Sequence, residues 1–194
     1  MQINNFIKSF SNIIAKKNLM STGDISKTEY TIKTFFYEIV KISLLIILFA
    51  FWGHFDKFIF ALILLTSIGY FSGGFHFYNN IYSFLFSVAF FIFAIVILPT
   101  IPFINNLYFY FVISYLSIII IFYFSPIPSK SRPITSFKHK EKAKTLALSI
   151  TLFWLVILFT FFYHSKFFTT GIWTIVLQSI QLIISGCINH EKSK

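Results

Sequence analysis

Residues 107–124 read LYFYFVISYLSIIIIFYF and contain no charged side chain. A run of this length approaches the roughly 20 apolar residues that a helix needs to cross the hydrocarbon core of a bilayer. The chain contains five other apolar runs, at residues 36–52, 58–71, 81–98, 146–163 and 168–188. We therefore predict an all-α fold, a polytopic integral membrane protein with about six transmembrane helices in a single domain, residues 1–194. Because the run at 58–71 is short, five spans with a re-entrant second element are the alternative.

The composition excludes an ordinary soluble protein. Of the 194 residues, 57% are hydrophobic and only 11% are charged, whereas soluble domains carry roughly 25% charged residues. A soluble domain of this size still exposes roughly 30% of its chain surface, and this chain has too few polar residues to cover that surface. The same apolar content excludes a disordered chain.

The basic residues predict the orientation in the membrane. The net charge of +10 comes from 16 Lys and Arg against 6 Asp and Glu. With six spans, all the Lys and Arg except Lys57 and Lys166 fall on the side of the two termini. Cytoplasmic loops carry such an excess. We therefore place the N- and C-termini in the cytoplasm, and the charge requires no nucleic-acid partner.

Two segments outside the apolar runs are candidates for contacts at the membrane surface. Residues 1–30 carry apolar side chains at helical spacing with lysines between them. This pattern predicts an amphipathic interfacial helix on the lipid bilayer, or a helix packed on the protein's own cytoplasmic face. Residues 125–145 are predicted to form a basic cytoplasmic loop. Its Lys130 and Arg132 are candidate contacts to anionic lipid or to an acidic peptide substrate, unless they serve orientation alone.

The strongest candidate for chemistry lies between the second and third runs. Gly73 and Gly74 allow close backbone approach and unusual backbone angles, and His76 follows them. A histidine exchanges protons near neutral pH, as a general base must, although a solvated loop histidine is the simpler interpretation. Ser83 comes seven residues later, a rise of about 10.5 Å on a continuous helix, which is too far for a hydrogen bond. If the two act together, the chain must bend between them, most naturally at the two asparagines of residues 79–80.

Cysteine and glutamate offer weaker candidates. Cys187 is the one cysteine of the chain, which excludes an intrachain disulfide and a cysteine-rich zinc site. It is either a rival nucleophile or a buried, inert side chain. Glu38 either pairs with Lys41, three residues further along the helix, or orients His76.

Two glutamines lie in the sixth run. Gln178 and Gln181 place carboxamides where they either join helices or contact a peptide substrate or lipid. Nothing in the sequence calls for a metal ion or an organic cofactor, so we predict neither.

One combination of features is specific enough to suggest a family. It consists of Gly73, Gly74 and His76, the seven-residue step to position 83, and residues 125–134, which read SPIPSKSRPI. Together with the size and the multi-span layout, it resembles the accessory gene regulator protein B (AgrB) family over nearly the whole chain. The resemblance implies a membrane cysteine endopeptidase of quorum sensing in Gram-positive bacteria. Such enzymes cut the C-terminal tail from an AgrD-like precursor of an autoinducing peptide and hold the remainder as a thioester, which then closes into a thiolactone or lactone ring.

The resemblance also assigns roles to residues. It implies that His76 is the catalytic histidine, that position 83 is the place of the nucleophilic cysteine, and that a homodimer forms. The chain departs from the family in two positions, since Ser83 replaces the cysteine and Gly69 replaces an arginine. A hydroxyl is a much weaker nucleophile than a thiolate, so Ser83 predicts an inactivated peptidase. Ser83 is either an engineered Cys→Ser replacement or the native residue of a divergent homologue.

Two other functions remain open at this stage. A catalytically inactive homologue that only binds the propeptide shares every feature except turnover. A peptide exporter would need a polar path through the spans, and the near absence of charge from the middle of the spans argues against it.

Overall fold

The described part of the chain is helical. The computed structural model describes four stretches of the chain, residues 22–74, 79–101, 106–127 and 137–191, with the backbone alone at residues 22–30, 137 and 188–191. The helices are α1 (Thr22–Phe51), α2 (Phe55–Ser72), α3 (Asn80–Ile92), α4 (Leu107–Phe124), α5 (Phe137–Thr160) and α6 (Lys166–Glu191). Each belongs to a helical stretch that is long and apolar enough to cross a membrane. The prediction of an all-α, multi-pass membrane protein with six spans is confirmed.

Two helices begin earlier than the apolar runs indicated. Helix α1 starts at Thr22 and α5 starts at Phe137, because lysine and glutamate are good helix formers and long lysine stems reach back to the membrane surface. Residues 137–145 are therefore the first turns of α5, and the prediction that they belong to a loop is wrong. Most of the predicted interfacial segment, residues 1–21, lies outside the described residues, as does 128–136 of the basic loop.

The chain divides into two compact units, Met1–Leu48 and Phe49–Lys194. In the first unit, Lys41 Nζ lies 2.6 Å from Glu38 Oε2, so the predicted pairing along the surface of α1 is confirmed. The proposal that residues 1–194 form a single domain stays a prediction.

In the second unit, α2 and α6 are parallel neighbours. Where both begin, Lys166 Nζ donates a hydrogen bond to Asp56 Oδ2 at 2.7 Å. Where α2 ends, Gln178 Nε2 donates to Ser72 Oγ at 3.1 Å. The 18 residues of α2 give a length of about 27 Å. Because α2 contacts α6 at both ends, it is a full-length helix and not a re-entrant element.

Helix α5 runs in the opposite direction and completes the core. Trp154 Nε1 donates to Ser67 Oγ at 2.8 Å, and the Phe162 ring lies 5.3 Å from the Phe60 ring. Helices α2, α4, α5 and α6 share a buried apolar cluster, formed by Leu64, Ile68, Tyr110, Leu155, Leu158, Phe168, Ile172, Trp173 and Ile175. Burial against these neighbours fixes the relative positions of the four helices, because small shifts would open voids in a close-packed interior.

Helix α3 packs near the start of α2 and ends irregularly. The Phe91 ring lies 4.8 Å from the Phe58 ring. The helix continues through a π-helical turn, Phe93–Ile97, and a 3₁₀ turn, Leu98–Thr100. Pro99 cannot donate a backbone hydrogen bond and its ring clashes with an α-helical carbonyl, so the wider turn before it accommodates the proline.

A second apolar cluster lies where α2, α4 and α6 end and α5 begins. It consists of Ile121, Ile127, Ala147 and Leu182. Ile127 belongs to the short segment after α4, so this cluster attaches the segment to α5 and α6. We call this end of the unit the site end, because the glycine pair and the first turn of α3 are both there.

The topology predicts how Cys187 reacts with a membrane-impermeant maleimide. Cys187 is exposed and lies two residues after Ser185, which bonds to Gly74 at the site end. If the site end faces the cytoplasm, as the distribution of basic residues predicts, inverted vesicles will be labelled and sealed right-side-out vesicles will not.

A cysteine at the opposite end provides the control. His164 is exposed in the turn between α5 and α6, and His164→Cys in a Cys187→Ala chain should show the reverse pattern. Labelling of Cys187 in right-side-out vesicles would overturn the proposed orientation.

Candidate functional site

The site is organised around the glycine pair at the end of α2. Gly73 has φ 79° and ψ −170°, a combination that is essentially restricted to glycine. Its N–H donates to Gly69 O at 3.0 Å and ends the helix. A Cβ on Gly73 would lie 2.7 Å from the carbonyl oxygen of Ile127. Both the backbone angle and the close approach therefore require glycine at position 73.

The segment after α4 closes one side of the site. Ile127 N–H donates to Ser72 O at 3.1 Å, which satisfies one of the carbonyls that the end of a helix leaves without a partner. The preceding peptide bond, Ser125–Pro126, is cis. The glycine pair and the start of the proline-bearing stretch, which the sequence analysis treated as two separate motifs, are therefore in direct contact.

Helix α6 closes the other side with polar side chains. Gln178 is 1% exposed, and its Nε2 donates to Ser72 Oγ at 3.1 Å and to Gly73 O at 3.0 Å. Ser185 Oγ donates to Gly74 O at 3.3 Å. A buried carbonyl without a partner costs free energy. These two side chains allow non-helical backbone to lie at the edge of the membrane.

Gln181 occupies the space between these two contacts. It lies one turn after Gln178 and one turn before Ser185, so all three share a face of α6. A Cβ on Gly74 would come within 3.0 Å of Gln181 Nε2. The absence of a side chain at position 74 therefore gives the Gln181 carboxamide its place beside the backbone that leads to His76.

Helix α3 begins afresh after this turn. Asn79 is extended, with φ −103° and ψ 125°, and its side chain accepts a hydrogen bond from Ile81 N–H at 2.9 Å. Ser83 N–H donates to Asn79 O at 3.1 Å, which places Ser83 in the first turn of α3. The helix therefore begins at residues 79–80, where the sequence analysis placed the bend that a joint role of His76 and Ser83 would need. A rise of about 10.5 Å between positions 76 and 83 applies only to a continuous helix, so it does not hold here.

The other predicted site residues are placed as follows. His76, Lys130 and Arg132 lie outside the described residues. Ser83 is half-buried, and its proposed role stays a prediction. Cys187 is exposed, so it is not the buried cysteine that was one alternative. Gln178 joins α6 to α2, and at 1% exposure it does not contact lipid.

Sequence reasoning missed two contributors to the site. It gave no role to the Ser72 hydroxyl or to the backbone of Ile127, because backbone contacts between distant segments leave no pattern in a sequence. The i, i+3, i+7 spacing of Gln178, Gln181 and Ser185 was a usable signal, since it places three polar groups on one face of an apolar helix. Among the described residues, no group of three or more His, Cys, Asp or Glu could hold a metal ion.

The fold and the site together define a class. This is a multi-pass membrane protein in which a glycine pair at the end of one span is held by neighbouring segments at one end of the helix bundle. The sequence model of the family Accessory gene regulator B matches residues 7–182. The chain is also 30% identical over 179 residues to an AgrB-like protein of Clostridium beijerinckii, covering 90% of this chain and 86% of that protein. No solved structure matches.

The chain belongs to the AgrB family. Membership implies a role in processing the precursor of an autoinducing peptide, with an AgrD-like propeptide as the substrate. The family's members are peptidases. At position 69, where the resemblance leads us to expect arginine, a Cβ would lie 3.7 Å from Gln178 Nε2, so a side chain there would point at the carboxamide that holds Gly73.

Replacement of two glycines tests how the turn is held. Gly73→Ala should lower the free energy of unfolding by about 2 kcal/mol, because alanine is strained at this backbone angle and its Cβ meets the Ile127 carbonyl. Gly69→Ala is the matched control. Its Cβ has ordinary van der Waals room, and alanine favours the helix.

Equilibrium unfolding in mixed micelles measures both variants. Gly69→Ala should be as stable as the parent or slightly more stable. Equal losses for the two variants would show that the turn is not held as described.

Proposed function

We propose that this chain is a membrane endopeptidase of the AgrB type, built to remove the C-terminal tail of an AgrD-like precursor. His76 is the general base and position 83 is the place of the nucleophile. The site opens to the cytoplasm between α2 and α3. With serine at position 83, the chain binds the precursor but does not turn it over.

The observation that carries the proposal is the way the chain around His76 is anchored. On one side, Gly73 and Gly74 are held by Gln178, Ser185 and the backbone of Ile127. On the other side, Asn79 caps α3. Residues 75–78 connect the two anchors in the sequence, and His76 belongs to this four-residue bridge. The second anchor, Asn79, lies one turn before Ser83. An active site needs its base held near its nucleophile.

The chemistry follows from the two groups. With cysteine at position 83, His76 accepts the thiol proton and the sulfur attacks the carbonyl carbon of the scissile bond. The C–N bond breaks, and the imidazolium returns the proton to the leaving amine. The peptide stays attached as a thioester. An internal cysteine or serine of the peptide then attacks that carbonyl and gives its proton to His76, which closes the ring and releases the thiolate at position 83; the imidazolium can reprotonate that thiolate.

Serine at position 83 prevents the first step. A serine hydroxyl is weakly acidic and needs a strong base that is itself oriented by a third group, as in a catalytic triad. Among the described residues, the ones beside the site are the glycine pair, amides and hydroxyls, and none is a carboxylate. Glu38 pairs with Lys41. Its proposed role in orienting His76 stays a prediction. The homodimer also stays a prediction.

The direct test is Ser83→Cys in proteoliposomes. A panel of synthetic AgrD-like precursors is added to the parent chain and to the variant. The variant should release a C-terminal tail from one precursor and accumulate a thioester detectable by mass spectrometry. The parent should bind that precursor without cleaving it.

Two further variants serve as controls in the Ser83→Cys chain. His76→Ala should reduce the cleavage rate by roughly 10²–10⁴-fold, as loss of a general base does. Cys187→Ala should leave the rate unchanged, because the proposed chemistry gives Cys187 no role. Cleavage by the parent chain would contradict the proposal, and so would the absence of cleavage by Ser83→Cys.

A further inference from the structure

The three polar side chains on the site face of α6 differ in what they bond to. Gln178 and Ser185 donate to the backbone of the glycine pair. Gln181 is half-buried, and in the described part of the chain its carboxamide has no hydrogen-bond partner. A carboxamide that packs against apolar helices without a partner gives up hydrogen bonds that water would offer. The structure of the site therefore leaves this group available.

Gln181 lies beside Gly74. Its Nε2 lies 3.0 Å from where a Cβ of residue 74 would be, so a Cβ at that position would make the carboxamide shift by a few tenths of an ångström. The same glycine begins the bridge to His76. The carboxamide therefore lies beside the Gly74 backbone, two residues before the proposed base in the sequence.

We propose that Gln181 hydrogen-bonds the backbone of the propeptide next to the bond that is cut. The inference rests on the proposed function and adds to it the group that receives the substrate. A glutamine carboxamide offers one acceptor and two donors, which matches the N–H and C=O of an extended peptide. A peptide that enters a site between apolar helices loses water from its own amides, and protein groups must replace those hydrogen bonds.

Gln178 provides a matched comparison one turn away on the same helix. Gln178→Met removes bonds within the protein, so it should lower the thermal midpoint. Gln181→Met keeps the length of the side chain and removes no such bond, so the midpoint should stay at the parent value. If Gln181→Met weakens substrate binding at an unchanged thermal midpoint, Gln181 is a substrate contact and not a structural one.

Binding is measured with the parent chain in nanodiscs, because the parent, with serine at position 83, should not cleave the peptide. The probe is a fluorescent form of the precursor that Ser83→Cys cleaves. Loss of one hydrogen bond to a substrate typically weakens binding about tenfold. We expect Kd for Gln181→Met to rise by about this factor without a change in thermal midpoint.

A backbone-modified probe tests the atoms involved. Replacing single peptide N–H groups around the scissile bond by N-methyl groups should weaken binding to the parent at one position. Gln181→Met should show no further loss at that position, because the bond is already gone. If the losses of binding free energy from N-methylation and from Gln181→Met add in full at every position, the inference is overturned.

The outcomes separate this inference from the proposed function. If Ser83→Cys cleaves no precursor, or if the parent binds none, the proposed function fails and the inference fails with it. If cleavage and binding occur but Gln181→Met binds as tightly as the parent, only the inference fails. The inference also fails if Gln181→Met slows cleavage in the Ser83→Cys chain without weakening binding. In that case Gln181 would act on the position of His76 and not as a substrate contact.

Discussion

The interaction on which the site depends is the set of hydrogen bonds that hold the Ser72–Gly74 backbone. In a membrane, backbone groups outside regular helices must find partners within the protein. Here Gln178 and Ser185 from α6 and the N–H of Ile127 supply them. These bonds let α2 stop at Ser72, and α3 begins as a separate helix at Asn80.

The rest of the unit can be understood as support for these bonds. The parallel packing of α2 on α6 brings Gln178 level with the end of α2, and the ion pair between Asp56 and Lys166 fixes the same register at the opposite end. The small cluster around Ile127 and Leu182 holds the segment after α4 in place. Apolar packing thus fixes the distances, and a few polar contacts then determine the path of the backbone.

Much of the fold followed from the sequence, because apolar runs of spanning length have few alternatives. The six helices were predicted from run lengths, and α3 begins at the asparagines where a bend was expected if His76 and Ser83 act together. The start of α5 was not predicted, since a lysine-rich segment looks like a loop by composition although lysine favours helix. The extent of α2 was also unclear, because Gly69 weakens the apolar run although it lies inside the helix.

The candidate site was predicted only in part. The glycine pair and position 83 were identified from their spacing and from a family resemblance. The separate roles of Gln178 and Gln181 were not accessible, because the sequence places both on one face and only the packing shows which of them is bonded. The contact between Gly73 and Ile127 joins residues far apart in the chain, and no local pattern encodes it.

The central claim of the proposed function is that His76 lies close enough to position 83 for the two to act together. The most direct measurement is disulfide formation in a His76→Cys, Ser83→Cys chain that also carries Cys187→Ala, read by mass spectrometry after mild oxidation. A disulfide requires Cα atoms about 4.4–6.8 Å apart. The control pair, Tyr82→Cys with Ala89→Cys, has the same spacing within α3, and both side chains are exposed. We predict a disulfide in the first chain and none in the control. Absence of the disulfide between positions 76 and 83 would contradict the account.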